Sequence, residues 1–234
     1  SEKVSQLKDI LGTTEKYDNI VVSSNVELPK EYKLLHNISK SDIVARHAIA
    51  YLKKRGVTMI DVLKYQIGYC EKGRYANKII IPTFNAAGGL DYFVARSFEQ
   101  DPIRKYDAPS SDKNIIGFEN TINWNIPVVL CEGAFDAIAI KRNAIPLFGK
   151  NISKKLMQKL VTSEIKKVYL ALDKDAIKST YKIAEQLLKL GKKLFIVELD
   201  DKDPSDMGFS LFTNKVQESQ EFNFSSLFNL KLSL

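Results

Sequence analysis

After Pro127 the sequence carries three largely apolar runs, VVLC at 128–131, VYLAL at 168–172 and KLFIVEL at 193–199, separated by segments of helical periodicity. A strand covered by helices on both faces is apolar along its whole length, whereas a strand with one wet face alternates. The runs therefore predict a parallel α/β sheet. FDAIAIKRN, SKKLMQKLVT and AIKSTYKIAEQLLKLG supply the crossover helices, a short strand IPLF lies between the first two, and Gly191 is placed to end the last.

The first half reads differently. SDIVARHAIAYLKKRG predicts a helix with a Ser N-cap, ending at Gly56, in which Lys53, Lys54 and Arg55 form the basic last turn that a helix C-terminus favours and His47 is exposed or structural. Thr58 caps a second short helix, MIDVLKYQ, with Asp61 placed to return a hydrogen bond to the cap. KIIIPTF and LDYFVARSF, joined by NAAGG, predict a hairpin. The fold class is therefore α/β, with an α+β N-terminal subdomain at 1–125, a parallel α/β domain at 126–206 and a Phe-rich helical segment or tail at 207–234. Residues 1–40 hold a short amphipathic helix, SEKVSQLKDILG, and a strand-like NIVVSSNVEL.

Composition sets the outer limits. A chain of 234 residues, 44% hydrophobic, buries a sizeable core and divides most naturally into two units. Cys70 and Cys131 stand far apart without C-x-x-C or a neighbouring His, so neither a disulfide framework nor a zinc site follows. No apolar run reaches the roughly 20 residues that span a bilayer, and a cytoplasmic protein with no membrane partner is expected. The net charge of +7 suits a nucleic-acid partner without requiring one.

The acids are placed more tellingly than the bases. Ligands of open α/β sheets bind at the carboxyl ends of the strands. Here VVLC is followed by Glu132, VYLAL by Asp173 and Asp175, and KLFIVEL by Asp200, Asp201, Asp203 and Asp206, while Asp136 lies one helical turn beyond Glu132. Singly, each acid has a plain reading: Asp136 favouring a helix N-terminus, Asp173 as an N-cap, 200–206 as a solvated turn. Recurrence after three strands favours an assembled site. Gathered carboxylates repel unless cations sit among them, and hard divalent cations prefer oxygen ligands.

CEGAFDAIA, the strand ending in DKD, and KDPSD resemble the Toprim domain of bacterial-type primases, type IA and type II topoisomerases and some nucleases. The resemblance implies Glu132, Asp136, Asp173, Asp175 and Asp203 as ligands, or close support, of Mg2+ or Mn2+. This chain departs from the family in Ala176, Ile177 and Lys178, where a small residue and Gly usually follow the DxD, and in Ser205, where an acid often stands. AIAYLKKRGVTMIDVLKYQIGYC, KIIIPTFNAAGGLDYFVARSF and RKYDAPSS resemble, in order, segments of the DnaG-type primase core. That resemblance implies a DNA-dependent RNA polymerase core of a bacterium or phage, part of a longer primase, with Glu132, Asp173, Asp175 and Lys105 catalytic and Lys78, Arg96, Lys105 and Tyr106 binding nucleotide or DNA. Its implied partners are a single-stranded DNA template, ribonucleoside triphosphates and a replicative helicase. A Toprim nuclease and a non-catalytic DNA-binding recombination mediator are the alternatives. A topoisomerase fits less well, for want of a companion domain with a candidate Tyr.

Overall fold

The computed structural model describes residues 26–39, 41–199 and 203–232, so SEKVSQLKDILG, Asp200 and Asp201 lie outside the described residues, as does the side chain of Asp175. Two five-stranded sheets make up the fold. The first is antiparallel, in the order β1 (Tyr32–Leu34), β2 (Gly68–Cys70), β3 (Lys78–Phe84), β4 (Leu90–Ser97) and β5 (Tyr106–Asp107). The expected hairpin is β3 and β4, with the NAAGG turn closed by Asn85, whose side chain accepts hydrogen bonds from the backbone N–H groups of Ala87 and Gly89.

Helix α1 (Ile43–Lys54) packs Ala45, Ala48 and Leu52 into the core, and its cap is Asp42, not Ser41, with the carboxylate accepting from the Ala45 N–H at 2.9 Å. Helix α2 (Met59–Lys64) starts in the capping box that its sequence predicts, Thr58 with Asp61.

The second sheet has the order β10 (Glu221–Phe222), β9 (Lys193–Ile196), β8 (Lys167–Ala171), β6 (Val128–Cys131), β7 (Ala144–Pro146). Strands β6 to β9 are parallel, and β10 adds an antiparallel edge against β9. Every residue of β6 is buried, as a strand with helices on both faces requires. The crossovers are α3 (Ala134–Ile140), α4 (Lys154–Thr162) and α5 (Ile177–Lys189). Gly191, at φ +70°, follows the C-cap of α5. Helices α6 (Pro204–Met207), α7 (Phe209–Glu218) and α8 (Phe224–Leu232) complete the described chain.

The two halves share one core, in which Leu52, Val62, Ile79 and Ile81 of the first pack with Phe135, Ile138 and Phe212 of the second. At Gly117 the connecting segment passes so close to β7 that a Cβ would stand 2.3 Å from the Pro146 carbonyl oxygen. A polar clamp joins the halves as well: the Asp61 carboxylate accepts from the Thr58 N–H and hydroxyl, both at 2.7 Å, and pairs with Lys141 at the end of α3. Lys141→Met would leave that nearly buried carboxylate without its cation. The expected cost is roughly 3 kcal/mol, read as a lower urea midpoint; an unchanged midpoint would show that the clamp contributes nothing.

Candidate functional site

A cleft of about 720 Å3 lies between the two sheets, at the carboxyl ends of the parallel strands. One wall is acidic. Glu132 leaves β6 and Asp173 follows β8 from adjacent strands, because Cys131 and Ala171 stand in register. The Asp173 N–H donates to Glu132 Oε1 at 3.3 Å. Asp173 stands at the N-cap position of the 3-10 turn Lys174–Ala176, yet its side chain makes no capping hydrogen bond. Asp136, in the first turn of α3, accepts from the Gly133 N–H at 3.0 Å. Asp203 caps α6, accepting from the Asp206 N–H at 2.9 Å and the Ser205 hydroxyl at 2.8 Å. Glu132, Asp136, Asp173, Asp203 and the exposed Asp206 all line the cleft.

The opposite wall is basic and aromatic. Tyr92, Val94 and Arg96 alternate along β4 on the face turned to the cleft, and Arg104, Lys105 and Tyr106 follow at the sheet edge. Arg96 is only 5% exposed. Its Nε donates to the Tyr51 hydroxyl at 2.8 Å, and its guanidinium lies 4.3 Å from the centre of the Tyr106 ring. Lys113 also lines the cleft and donates to the Phe148 carbonyl at 3.0 Å.

The chain matches the family model "Toprim-like" over residues 129–207. It is 31% identical over 192 residues to the uncharacterized protein MG010 of Mycoplasma genitalium, covering 75% of this chain and 85% of that one. The chain belongs to the MG010 family. Residues 129–207 form its Toprim domain. This MG010-family chain is also 25% identical over 209 residues to a DNA primase of Thermotoga maritima, covering 76% of its own length but only 36% of that primase. Its fold is that of the DnaG primase catalytic core. A DnaG primase catalytic domain solved bound to single-stranded DNA superposes with a TM-score of 0.68 at 18% identity, covering 82% of this chain and 77% of that one. An Aquifex aeolicus primase chain with zinc-binding and RNA polymerase domains gives 0.65 at 19%, covering 76% and 57%.

Of the residues singled out by sequence, Glu132, Asp136, Asp173, Asp203, Arg96, Lys105 and Tyr106 meet in this cleft. Lys78 does not line it. Residues paired across a ladder share a face: Arg96 pairs with Ile79, whereas Lys78 pairs with Ser97 and so sits on the face away from Arg96. Arg55 stands at the helix C-terminus, as its sequence context predicts, and also lines the cleft. Its hydrogen-bond partner, Ser205, is 150 positions away in sequence, so no local pattern could have signalled that contact.

Among the described residues no three His, Cys, Asp or Glu side chains converge closely enough to hold a metal ion. The donor chemistry nevertheless fits a hard cation. Glu132, Asp136, Asp173 and Asp203 all offer oxygen, and burial, reinforced by the charges of Asp203 and Asp173, pushes the Asp136 carboxyl up to about 7 against the pull of the Gly133 and Ser205 N–H groups. An unfolded Asp titrates near 4. The folded state therefore favours protonated Asp136, and this contribution is complete below about pH 4 and lost as pH rises through about 7. Asp136→Asn keeps an acceptor for the Gly133 N–H and abolishes the titration. In metal-free protein the variant is expected to exceed wild type in stability at pH 8, by on the order of 4 kcal/mol at most, with the gap closing towards pH 4. Parallel urea midpoints for the two proteins from pH 4 to 8 would contradict this.

Proposed function

We propose that this chain is a DNA primase catalytic core, a DNA-dependent RNA polymerase that makes short RNA primers on single-stranded DNA. The observation that carries the reading is the opposition, across one cleft, of carboxylates from the ends of the parallel sheet and cations from the edge of an antiparallel one. Nucleotidyl transfer needs both: anions to hold divalent metal, and cations to hold phosphates. The likeness to primases in sequence and fold supports the same reading.

On this reading Glu132, Asp173 and Asp203, with Asp175, hold Mg2+ or Mn2+, and Asp136 supports them. Two such ions, when bound, acidify the attacking 3′-hydroxyl and neutralise the departing pyrophosphate. The protein's own part is positional. Lys105 and Arg104, exposed at the cleft edge, can swing onto a triphosphate or template phosphate, Arg104 by leaving its 3.8 Å pair with Asp107, whereas buried Arg96 is held by Tyr51 and Tyr106 and presents a fixed charge. Tyr106, 49% exposed, offers a ring edge on which a base can stack. Glu132, by accepting from the Asp173 N–H, keeps the first two acids in fixed relation.

The test is incubation with single-stranded DNA, the four ribonucleoside triphosphates and Mg2+ or Mn2+, with and without a preformed primer. Wild type is expected to yield labelled RNA, and Asp173→Ala to lower the yield about a hundredfold or more. Shortened template in place of RNA would identify a nuclease. DNA binding without either product would identify a non-catalytic binding module.

A further inference from the structure

The far side of the metal-binding wall is held by a residue of the other half. Arg55 is the C-cap of α1, and its guanidinium lies 5.4 Å from the Tyr51 ring centre and 5.3 Å from that of Phe135. Its Nη1 donates to the Ser205 hydroxyl at 3.2 Å. A guanidinium can only donate, so the serine oxygen must act as acceptor towards Arg55 and its own proton is directed elsewhere. That proton goes to Asp203 Oδ1, at 2.8 Å, the same oxygen that accepts from the Asp206 N–H at 2.9 Å. Ser205 is 8% exposed, so little water competes for its hydroxyl.

We propose that Arg55 is a positioning residue for the third acid of the site. Through Ser205 it orients the Asp203 carboxylate and ties the Asp203–Met207 turn to α1, so that among the described residues these hydrogen bonds fall on Oδ1 and Oδ2 is the oxygen that can turn to a cation. The two ring contacts fix the guanidinium plane, which Lys cannot reproduce. The role at the metal rests on the function proposed above; the tethering of the turn does not.

The test is amide hydrogen exchange in metal-free wild type, Arg55→Lys, Ser205→Ala and the double variant, with the amides of Asp206, Met207 and Gly208 read relative to those of β8. These amides bond to the Asp203 and Pro204 carbonyls and report the turn directly. Each single variant is expected to speed their relative exchange by about tenfold, the size of one charge-assisted hydrogen bond. The double variant is expected to go no further than Ser205→Ala, since the effect passes through that hydroxyl. In the same set, the Mg2+ concentration giving half of the thermal stabilisation should rise severalfold. The proposal is overturned if Arg55→Lys leaves relative exchange in the turn unchanged, if β8 quickens equally, or if the two single effects multiply. Exchange is read without nucleotide, so failure there is distinct from wild type failing to make RNA.

Discussion

The rest of the site depends on the mutual repulsion of carboxylates gathered at one edge of a parallel sheet. Strands β6 and β8 end side by side because they pair in register, so Glu132 and Asp173 emerge as neighbours. Helix α6 packs against α3 and brings Asp203 towards Asp136. In a partly buried cleft that arrangement is costly in the absence of cations, and Asp136, 9% exposed, responds by holding its proton to about pH 7. A fold that concentrates negative charge in this way is suited to bind positive charge there.

The antiparallel sheet supplies the facing wall, and several contacts fix the distance between the two. Phe148 stands at φ +52° and Phe118 at φ +55°, a left-handed conformation uncommon for bulky residues, and their rings meet edge to face. Phe148 also packs on Tyr92 of β4, gives its N–H to the Glu132 carbonyl and accepts from Lys113. One strained residue thus touches the acidic strand end, the basic segment and the opposite sheet. Strain of this kind persists where surrounding contacts over-determine it, and it gathers at functional sites.

Much of this was legible in the sequence. The largely apolar runs identify β6, β8 and β9, the burial being complete only in β6, and the Thr58–Asp61 box marks the start of α2. Acids after strand ends mark the cleft, because topology alone brings those ends together. What escaped depends on pairing over long distances. Strand β5 is two residues long and exists by its ladder to Arg96, and β10 by its ladder to β9. Arg55 follows the rule for a helix C-terminus and only its partner Ser205 reveals another use. Only the register, with Arg96 opposite Ile79 and Lys78 opposite Ser97, puts these two cations on different faces, and the irregularity at Thr83 and Phe84 keeps that register out of reach of a residue count from the turn.

The proposed function turns on divalent metal binding between the strand-end acids, and anomalous diffraction from crystals soaked in Mn2+ reads that binding without an activity assay. A peak is expected in the cleft about 2.1 Å from carboxylate oxygens of Glu132 and Asp173. A cleft without a peak at saturating Mn2+, or a peak only elsewhere on the molecule, would contradict it.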